Sequence, residues 1–495
     1  MRVAAWILVA LAIPRLVRLL YPYVWVEDDI YLESTYAMSA GLRPYLDFTH
    51  PQMPLLELFG SWYVAVAGAS HLSMELLNGA AIYATSLLTL VLGRRAVGPR
   101  VGIAAALLLS CSSLVFRYHV WAREFFVSAA VLSAALLLID AGGARLRRVL
   151  AAAALLAAAC AIKLTAAVSV AAIVVFLVAI PRRPRTAAIV ASATAAGVVT
   201  VAALSYWRYG FAFVFQAVLF HFMKGTDTAG AGPAYAGQVL DLLGPLSVLG
   251  LIQIIRRSRP PSEPLWFVLI ALASLAIFYT LISPTAWGHN YLELLPFLAI
   301  VAGTGAVWLV QAARTTRLAF AAGLAVVAVF LIWVTPLVNE SFERGSVYGF
   351  GFVPRSELRA LADALRAATR RDDEVIAPAY IAFEANRLQH VRFPENYGVM
   401  RAAEEEYRTA GFAAARARFG RRDFFDLINQ TSGYWNNQVI EGLAVGGKVN
   451  AFIPDETIQL LPLVNATPDA LVQRGFQPAL QTPHYVLWTR PGARP

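Results

Sequence analysis

Long apolar runs recur along the first two thirds of this sequence, and they limit what the chain can fold into. The runs fall at 3–20, 75–92, 101–116, 124–140, 149–162, 164–180, 187–205, 239–255, 265–282, 291–311 and 318–336. Hydrophobic residues make up 58% of the chain and charged residues 15%, whereas a soluble domain carries about 25% charged residues. We therefore predict a polytopic α-helical membrane protein with about eleven transmembrane helices. Because several runs are short, 149–180 is also compatible with one re-entrant pair of helices.

Basic residues in alternate loops predict how these helices are oriented. The loops at 93–100, 145–148, 181–185, 256–259 and 314–317 contain three, three, three, three and two Lys or Arg residues. Since such loops stay in the cytoplasm, we predict a multi-pass protein of the inner (plasma) membrane with a cytoplasmic N-terminus and an extracytoplasmic C-terminal segment. A cleaved signal peptide is the alternative for the first run. However, residues 14–20 continue the helical pattern where a polar mature start would be expected.

The charge balance changes near residue 337, which predicts a domain boundary. Residues 1–336 contain 23 Lys or Arg and 13 Asp or Glu, whereas 337–495 contain 18 of each. The basic excess therefore belongs to the membrane half, and a nucleic-acid partner is not expected. For 337–495 we predict a soluble extracytoplasmic α/β domain. Its predicted elements are helices at 356–368 and 401–419 and strands at 374–380 and 484–489.

The first outer loop, 21–73, is the longest loop of the membrane half and contains two helical patterns. The first runs from 30 to 40 and ends at Gly41, a residue typical of helix C-termini. The second runs from 55 to 66, where Leu58, Trp62 and Val66 repeat at a spacing of four. An amphipathic helix of this kind lies in the membrane interface. We therefore predict a shelf of two interfacial helices.

The acidic residues of this loop are the strongest candidates for chemistry. Glu27, Asp28 and Asp29 are consecutive, and their charges repel unless a cation compensates them. The other predicted outer loops supply cations, including Arg123, Lys163 and His289. A carboxylate base beside a cationic cradle is what displacement of a phosphate leaving group requires. We expect these groups to line one cavity at the outer membrane boundary.

Simpler interpretations of the same residues stay open. An acidic cluster after a transmembrane helix is often a solvated helix end, and Lys163 can extend to the interface as long basic side chains do. Other enzyme classes lack a signature in the chain. It has no His/Cys pattern for zinc and no Gly-rich loop for a nucleotide, and its two cysteines lie in apolar runs, where neither suits a nucleophile.

The order of motifs resembles a known superfamily. The motifs are Asp28-Asp29-Ile30-Tyr31, Tyr45-Leu46-Asp47-Phe48, His50-Pro51 to Pro54-Leu55, Arg123-Glu124, Ile162-Lys163-Leu164 and His289-Asn290-Tyr291 to Leu295-Pro296. Together they resemble the GT-C glycosyltransferases. The similarity is greatest to bacterial relatives of the dolichyl-phosphate-mannose protein mannosyltransferases and to the lipid A aminoarabinose transferases. The resemblance covers 1–310, and it extends to the tail only by position.

This resemblance implies an inverting glycosyltransferase that takes sugar from a polyprenyl-phosphate donor and passes it to a lipid, glycan or protein acceptor. It implies that Asp28 is the base, with Asp29 beside it. By the same resemblance, the donor phosphate is bound by four residues: Lys163, Arg123, His50 and His289. The sugar or acceptor is contacted by three: Glu27, Tyr31 and Asp47. The chain departs from the pattern in having Asp29 where Glu is usual, and in two extra residues after His50.

Two questions stay open at this point. Glu27 and Asp29 also resemble the acidic motif of metal-dependent oligosaccharyltransferases, so a divalent cation such as Mg²⁺ or Mn²⁺ is compatible with the loop, although the nearer relatives are thought to work without one. A transporter or lipid-linked saccharide flippase is the alternative function. It would show related halves and polar groups at the membrane midplane, whereas here the polar residues cluster at one side. A polymerase or ligase acting on a lipid-linked chain is a third reading.

Overall fold

A computed structural model describes most of the chain. The described residues are 2–20, 22–25, 29–112, 114–115, 124–140, 145–223, 231–256, 260–282, 288–313, 352–390, 397–420, 439–454 and 466–491. The chain forms two compact units. The first comprises 1–20, 75–203 and 228–340, and the second comprises 21–74, 204–227 and 341–495. The predicted apolar run at 318–336 lies outside the described residues.

Each of the other ten apolar runs contains a helix. The helices are Arg2–Leu20, His71–Ala96, Pro99–Ser110, Glu124–Asp140, Leu146–Ile162, Ala166–Ala179, Pro184–Tyr209, Ala231–Ile255, Glu263–Ile277 and Leu295–Ala313. A π-helix, Phe278–Ile282, extends the ninth, and a 3-10 helix, Gly288–Glu293, precedes the tenth. Within the described part of the chain, four helices are long and apolar enough to cross a membrane: His71–Ala96, Pro184–Tyr209, Glu263–Ile282 and Leu295–Ala312. The apolar stretch 149–180 is broken into two helices at residues 163–165.

Glycine allows the helices of the first unit to pack closely. A Cβ atom at Gly250 would lie 2.0 Å from the carbonyl oxygen of Val301, and one at Gly305 would lie 2.0 Å from that of Leu246. Neither position therefore tolerates a side chain. The helices Ala231–Ile255 and Leu295–Ala313 approach backbone to backbone, as small residues permit in membrane proteins.

The first helix contributes two buried arginines to this unit. Arg18 lies 3.7 Å from Glu75, and neither side chain is exposed to solvent. The guanidinium of Arg15 donates to the carbonyl oxygen of Ser110 over 2.5 Å. Because a charged group buried in an apolar interior must be paired, these contacts hold the helix Arg2–Leu20 against its neighbours.

The second unit contains a mixed sheet flanked by helices. The strands of this sheet are β3 (Glu374–Ile376), β4 (Leu388–Gln389), β5 (Val449–Phe452), β6 (Gln477–Gln481) and β7 (Val486–Thr489). Their order in the sheet is β4-β3-β5-β7-β6. Strands β4 and β5 are parallel to β3, and β7 is antiparallel to both β5 and β6. A separate antiparallel pair joins β1 (Tyr23–Trp25) to β2 (Phe352–Pro354). The helices are Arg355–Ala368, Ala379–Ala385, Tyr397–Phe419 and Pro468–Gln473.

These elements agree with most of the pattern expected for the tail, with three differences. The strand predicted at 484–489 is shorter, Val486–Thr489. The strand predicted at 374–380 ends at Ile376, because Pro378 precedes a new helix and has no backbone N–H to donate to a sheet. The helix predicted at 401–419 begins earlier, at Tyr397, and it is interrupted at Gly411, where φ is +83°. This left-handed conformation suits glycine.

Both helices predicted in the 21–73 loop are confirmed, as Asp29–Ser39 and Leu55–Ala67. They pack tightly, since a Cβ atom at Gly60 would lie 3.0 Å from Cγ2 of Thr35. The second helix buries Leu56, Glu57, Gly60 and Val64 and leaves an apolar face exposed at Leu58, Phe59, Trp62 and Val66. An exposed apolar stripe of this kind is what an interfacial helix presents to lipid.

One buried glutamine fixes the segment between these two helices. The side chain of Gln216 accepts a hydrogen bond from the backbone N–H of His50 over 3.0 Å and donates one to the carbonyl oxygen of Tyr45, also over 3.0 Å. Gln216 has no exposed surface and lies in a π-helical turn, Phe215–Leu219. Nε2 of His221, on the following turn, lies 2.5 Å from the carbonyl oxygen of Pro51. The loop is therefore held by backbone contacts that depend on Gln216.

We expect Gln216→Ala to lower the free energy of unfolding of the second unit by about 2–3 kcal/mol, because it leaves a buried N–H and a buried carbonyl without a partner. Gln473→Ala, at an exposed position of the same unit, is the matched control and should change the unfolding midpoint little. Thermal unfolding in detergent measures both variants. Equal midpoints for the two variants would show that Gln216 does not anchor the loop.

A histidine–glutamate contact joins the loop to the α/β part of the second unit. Oε2 of Glu384 accepts the backbone N–H of His71 over 2.8 Å and lies 2.8 Å from Nδ1 of the same residue. Asn386 adds a hydrogen bond from its side chain to the carbonyl oxygen of Ala69. Burial by itself would raise the pKa of Glu384, but the hydrogen bonds and charge of His71 outweigh it and hold the pKa below its usual value.

A lowered pKa makes this contact dependent on pH. Because the folded-state pKa of Glu384 lies below the unfolded value, its contribution is complete above the unfolded pKa and is lost as the pH falls through the folded one. We expect Glu384→Gln to lower the free energy of unfolding by about 1–2 kcal/mol at neutral pH and by less near about pH 3. Chemical unfolding across this range measures the difference. Glu441→Gln, at an exposed acid of the same unit, is the control, and a pH-independent effect of Glu384→Gln would contradict the assignment.

Candidate functional site

The predicted site residues fall into three groups. Glu27, Asp28 and Arg123 lie outside the described residues. Asp29 begins the helix Asp29–Ser39, and His289 lies in the 3-10 helix Gly288–Glu293, but the structure describes only the backbone of these two. The structure describes the side chains of four predicted residues: Tyr31, Asp47, His50 and Lys163. The expectation that all of them line one cavity stays a prediction.

His50 is buried beside a carboxylate that the sequence did not single out. Its Nε2 atom lies 3.4 Å from Oε2 of Glu57, and each side chain is only 2% exposed. The rings of Tyr45 and Phe48 pack edge-on against the imidazole, with centroids at 5.4 and 6.3 Å. An imidazole and a carboxylate are therefore held side by side in the interior of the second unit.

The side chains of Tyr31 and Asp47 each form hydrogen bonds with residues of the first outer loop. The hydroxyl of Tyr31 accepts a hydrogen bond from Nε2 of Gln52 over 3.2 Å. Asp47 accepts two hydrogen bonds from the guanidinium of Arg43, at 3.0 and 3.1 Å, and one from its backbone N–H. Its side chain is 26% exposed and that of Arg43 is 59% exposed. Asp47 is therefore an accessible carboxylate held in one orientation by a neighbouring arginine.

Lys163 lies in the first unit, at the break between two helices. It follows the helix Leu146–Ile162 in an extended conformation, and its backbone N–H donates to the carbonyl oxygen of Ala159. Only 7% of the residue is exposed. Its ammonium group lies 5.7 Å from the ring centroid of Tyr279, within the range of a cation–π interaction. A cation is thus held inside the helical core of this unit.

A buried acid, Glu293, lies next to Tyr279. The hydroxyl of Tyr279 donates to Oε2 of Glu293 over 2.5 Å and lies 3.3 Å from Oγ1 of Thr165. Glu293 has no exposed surface. Sequence reasoning missed Glu293, although an acid within the apolar segment 291–311 is a signal that can be used, since charged residues there are costly.

A metal can be tested only against the described residues. Among them, no group of three or more His, Cys, Asp or Glu side chains is arranged to hold an ion. The two residues named for a divalent cation, Glu27 and Asp29, are not described at their side chains. The question of Mg²⁺ or Mn²⁺ therefore passes to experiment.

Comparison with known proteins gives matches at the level of structure. The sequence matches no protein-family model and no curated protein. ArnT from Cupriavidus metallidurans in the apo state is similar with a TM-score of 0.63 at 13% identity, over 99% of this chain and 98% of ArnT. ArnT bound to undecaprenyl phosphate gives a TM-score of 0.60 at 14% identity, over 99% of each chain.

An oligosaccharyltransferase from Archaeoglobus fulgidus, tethered to an acceptor peptide, is similar with a TM-score of 0.50 at 11% identity, over 91% of this chain and 69% of that protein. At such identities the likeness shows the fold alone. Both neighbours are GT-C glycosyltransferases, and ArnT is a lipid A aminoarabinose transferase. The chain therefore has the fold of these GT-C glycosyltransferases, which is the fold that the resemblance of the loop motifs implies.

Proposed function

We propose that this protein is an integral membrane glycosyltransferase that transfers a sugar from a polyprenyl-phosphate donor to an extracytoplasmic acceptor. The observation that carries the proposal is the likeness to ArnT over almost the full length of both chains, which includes a structure of ArnT bound to undecaprenyl phosphate. The ordered motifs of the 21–73 loop support it independently, because they were found without reference to any structure.

The proposal includes a topology. About eleven helices cross the inner membrane with the N-terminus in the cytoplasm. Residues 1–336 form the membrane domain with its large first outer loop, and 337–495 form a soluble extracytoplasmic α/β domain. The mixed sheet and flanking helices described between 352 and 491 support the α/β class of that domain.

The proposed reaction is a single displacement at the anomeric carbon of the donor sugar. Asp28 removes the proton from the acceptor hydroxyl, whose oxygen attacks the carbon from the face opposite the phosphate. The carbon–oxygen bond to the phosphate breaks, and the lipid phosphate leaves with the bonding electrons. Attack from the opposite face inverts the anomeric configuration. We assign to Asp29 the orientation of Asp28. The accessible Asp47 is suited to contact a sugar hydroxyl, and we assign contacts to the sugar or acceptor to Glu27 and Tyr31 as well.

Cations stabilise the charge that develops on the departing phosphate. We assign this role to Lys163 and Arg123, with His50 and His289. For Lys163 and His50 the described surroundings support it. One is a cation held inside the helical core against Tyr279, and the other is an imidazole 3.4 Å from the buried carboxylate of Glu57. Both side chains are held in a fixed place before the donor binds, which electrostatic catalysis requires.

A fusion experiment tests the topology. A reporter that is active only outside the cytoplasm, fused after Pro495, should be active, because the charge pattern of alternate loops places the C-terminal domain outside. The same reporter fused after Arg183, in a basic loop, should be inactive and serves as the control. Activity after Arg183 with none after Pro495 would reverse the orientation and remove the proposed site from the donor's side of the membrane.

A substitution tests the catalytic base. We expect Asp28→Asn to reduce transfer about 10²- to 10⁴-fold, because the amide keeps the shape of the side chain but accepts no proton. Asp29→Asn should be milder if Asp29 only orients the base. Purified protein, radiolabelled polyprenyl-phosphate sugars and a candidate acceptor give the measurement. Asp469→Asn, at an exposed residue of the C-terminal part, should retain full activity and is the control.

The same assay separates the remaining alternatives. If Glu27 and Asp29 hold Mg²⁺ or Mn²⁺, Asp29→Asn should be as damaging as Asp28→Asn and a chelator should inhibit the unmodified protein. Full activity in Asp28→Asn would show that another residue is the base. Full activity in the combined variant Glu27→Gln, Asp28→Asn and Asp29→Asn would reject this loop as the catalytic centre. A transporter or flippase would then become the leading interpretation.

A further inference from the structure

Glu293 is a carboxylic acid placed where water does not reach it. It ends the 3-10 helix Gly288–Glu293, just before the helix Leu295–Ala313, and it has no exposed surface. Its Oε2 atom accepts the hydroxyl of Tyr279 at 2.5 Å, and Oε1 has no hydrogen-bond partner among the residues that the structure describes. Burying a carboxylate is costly unless nearby groups compensate its charge. A buried carboxylate with this free-energy cost indicates a functional role.

Tyr279 contacts both Glu293 and the ammonium group of Lys163. It lies in the π-helical turn Phe278–Ile282, a distortion that often marks functional positions. Its hydroxyl faces Glu293, while its ring lies 5.7 Å from the ammonium group of Lys163. A phenol that donates to a carboxylate carries more negative charge on its ring, and a more negative ring attracts a cation more strongly.

The surroundings reinforce the same alignment. Oγ1 of Thr165, two residues beyond Lys163, lies 3.3 Å from the Tyr279 hydroxyl. The ring of Tyr291 packs at 5.8 Å from that of Tyr279, and its hydroxyl lies 3.3 Å from Oγ1 of Thr280. All these residues belong to the first unit, so the cluster is part of one compact body. The tyrosine is therefore held from three sides.

We propose that Glu293 is a positioning residue for Lys163. Through Tyr279 it fixes the ammonium group in place and supports its positive charge within the apolar core. The ligand that benefits is a phosphate monoester or diester on a lipid, which Lys163 binds as a point charge. This inference rests on the proposed function for the identity of the ligand, but the link from Glu293 to Lys163 is a property of the protein itself.

A double-mutant cycle of binding constants tests whether Glu293 acts through Lys163. The dissociation constant of undecaprenyl phosphate is measured by native mass spectrometry for the unmodified protein, Glu293→Gln, Lys163→Ala and the double variant. Glu293→Gln should weaken binding about tenfold, because Tyr279 then holds the ammonium group less firmly where the phosphate binds. It should have almost no further effect when Lys163 is already alanine, because the two act as one unit. Additive losses would overturn the proposal, since a merely structural acid would weaken both backgrounds equally.

Two more variants test the role of Tyr279 and control for a general loss of stability. Tyr279→Phe keeps the ring but removes the hydroxyl, so it should reproduce most of the effect of Glu293→Gln. Thr304→Val removes another buried polar group of the same unit, one bonded only to the carbonyl oxygen of Ile300 among the described contacts, and it should leave binding unchanged. In a transfer assay Glu293→Gln should raise the donor KM more than it lowers kcat.

A second measurement needs no ligand and separates this inference from the proposed function. The rate at which an amine-specific reagent labels Lys163 is followed by mass spectrometry in the unmodified protein and in Glu293→Gln. If Glu293 holds the amine in place, the variant should be labelled at least about threefold faster, because the amine is less fixed and reaches the reagent more easily. Faster labelling in a protein that does not bind undecaprenyl phosphate would preserve the link and reject the ligand. An unchanged rate would overturn the link, whatever the transfer activity.

Discussion

Charges cannot stay unpaired in an apolar interior, and this constraint organises the described parts of the chain. A carboxylate or guanidinium that loses water is stable only against a partner that restores most of its hydration energy. The first unit meets this condition at Arg18 and Glu75, which approach to 3.7 Å with no exposure. It meets it again where Glu293 accepts the hydroxyl of Tyr279 near Lys163. The first pair links two helices that are distant in sequence, and the second connects neighbouring elements to Lys163 much earlier in the chain.

Paired polar groups also hold the first outer loop of the second unit in place. Between the two helices of the first outer loop, Tyr45, Phe48 and Met53 are buried, and polar contacts with Gln216 and Glu57 lie among them. A loop held by its backbone carries its side chains in fixed positions before a ligand binds. Such preorganisation is what electrostatic catalysis needs, because groups that are already aligned do not reorganise during the reaction.

The helices could be predicted well from the sequence, because long apolar runs indicate directly which segments are buried in lipid. Ten of the runs contain helices, and the two helices of the 21–73 loop begin and end within one residue of their predicted limits. The partners Glu57, Gln216 and Glu293 were missed, because their role depends on contacts across the fold. Gln216, for example, meets His50 across 166 positions. A single acid in an apolar segment, such as Glu293, signals a costly position but does not identify its partner, whereas the consecutive acids at 27–29 form a local pattern.

The central claim is that a polyprenyl phosphate binds this fold with its phosphate against Lys163. An electron cryomicroscopy structure of the protein in lipid nanodiscs with undecaprenyl phosphate tests it most directly. The account predicts density for the phosphate within about 3 Å of the Lys163 ammonium, as a charge-assisted hydrogen bond requires. The carboxylate of Asp28 should face the same cavity. A phosphate bound at the opposite membrane face, or a lipid with no contact to Lys163, would contradict it.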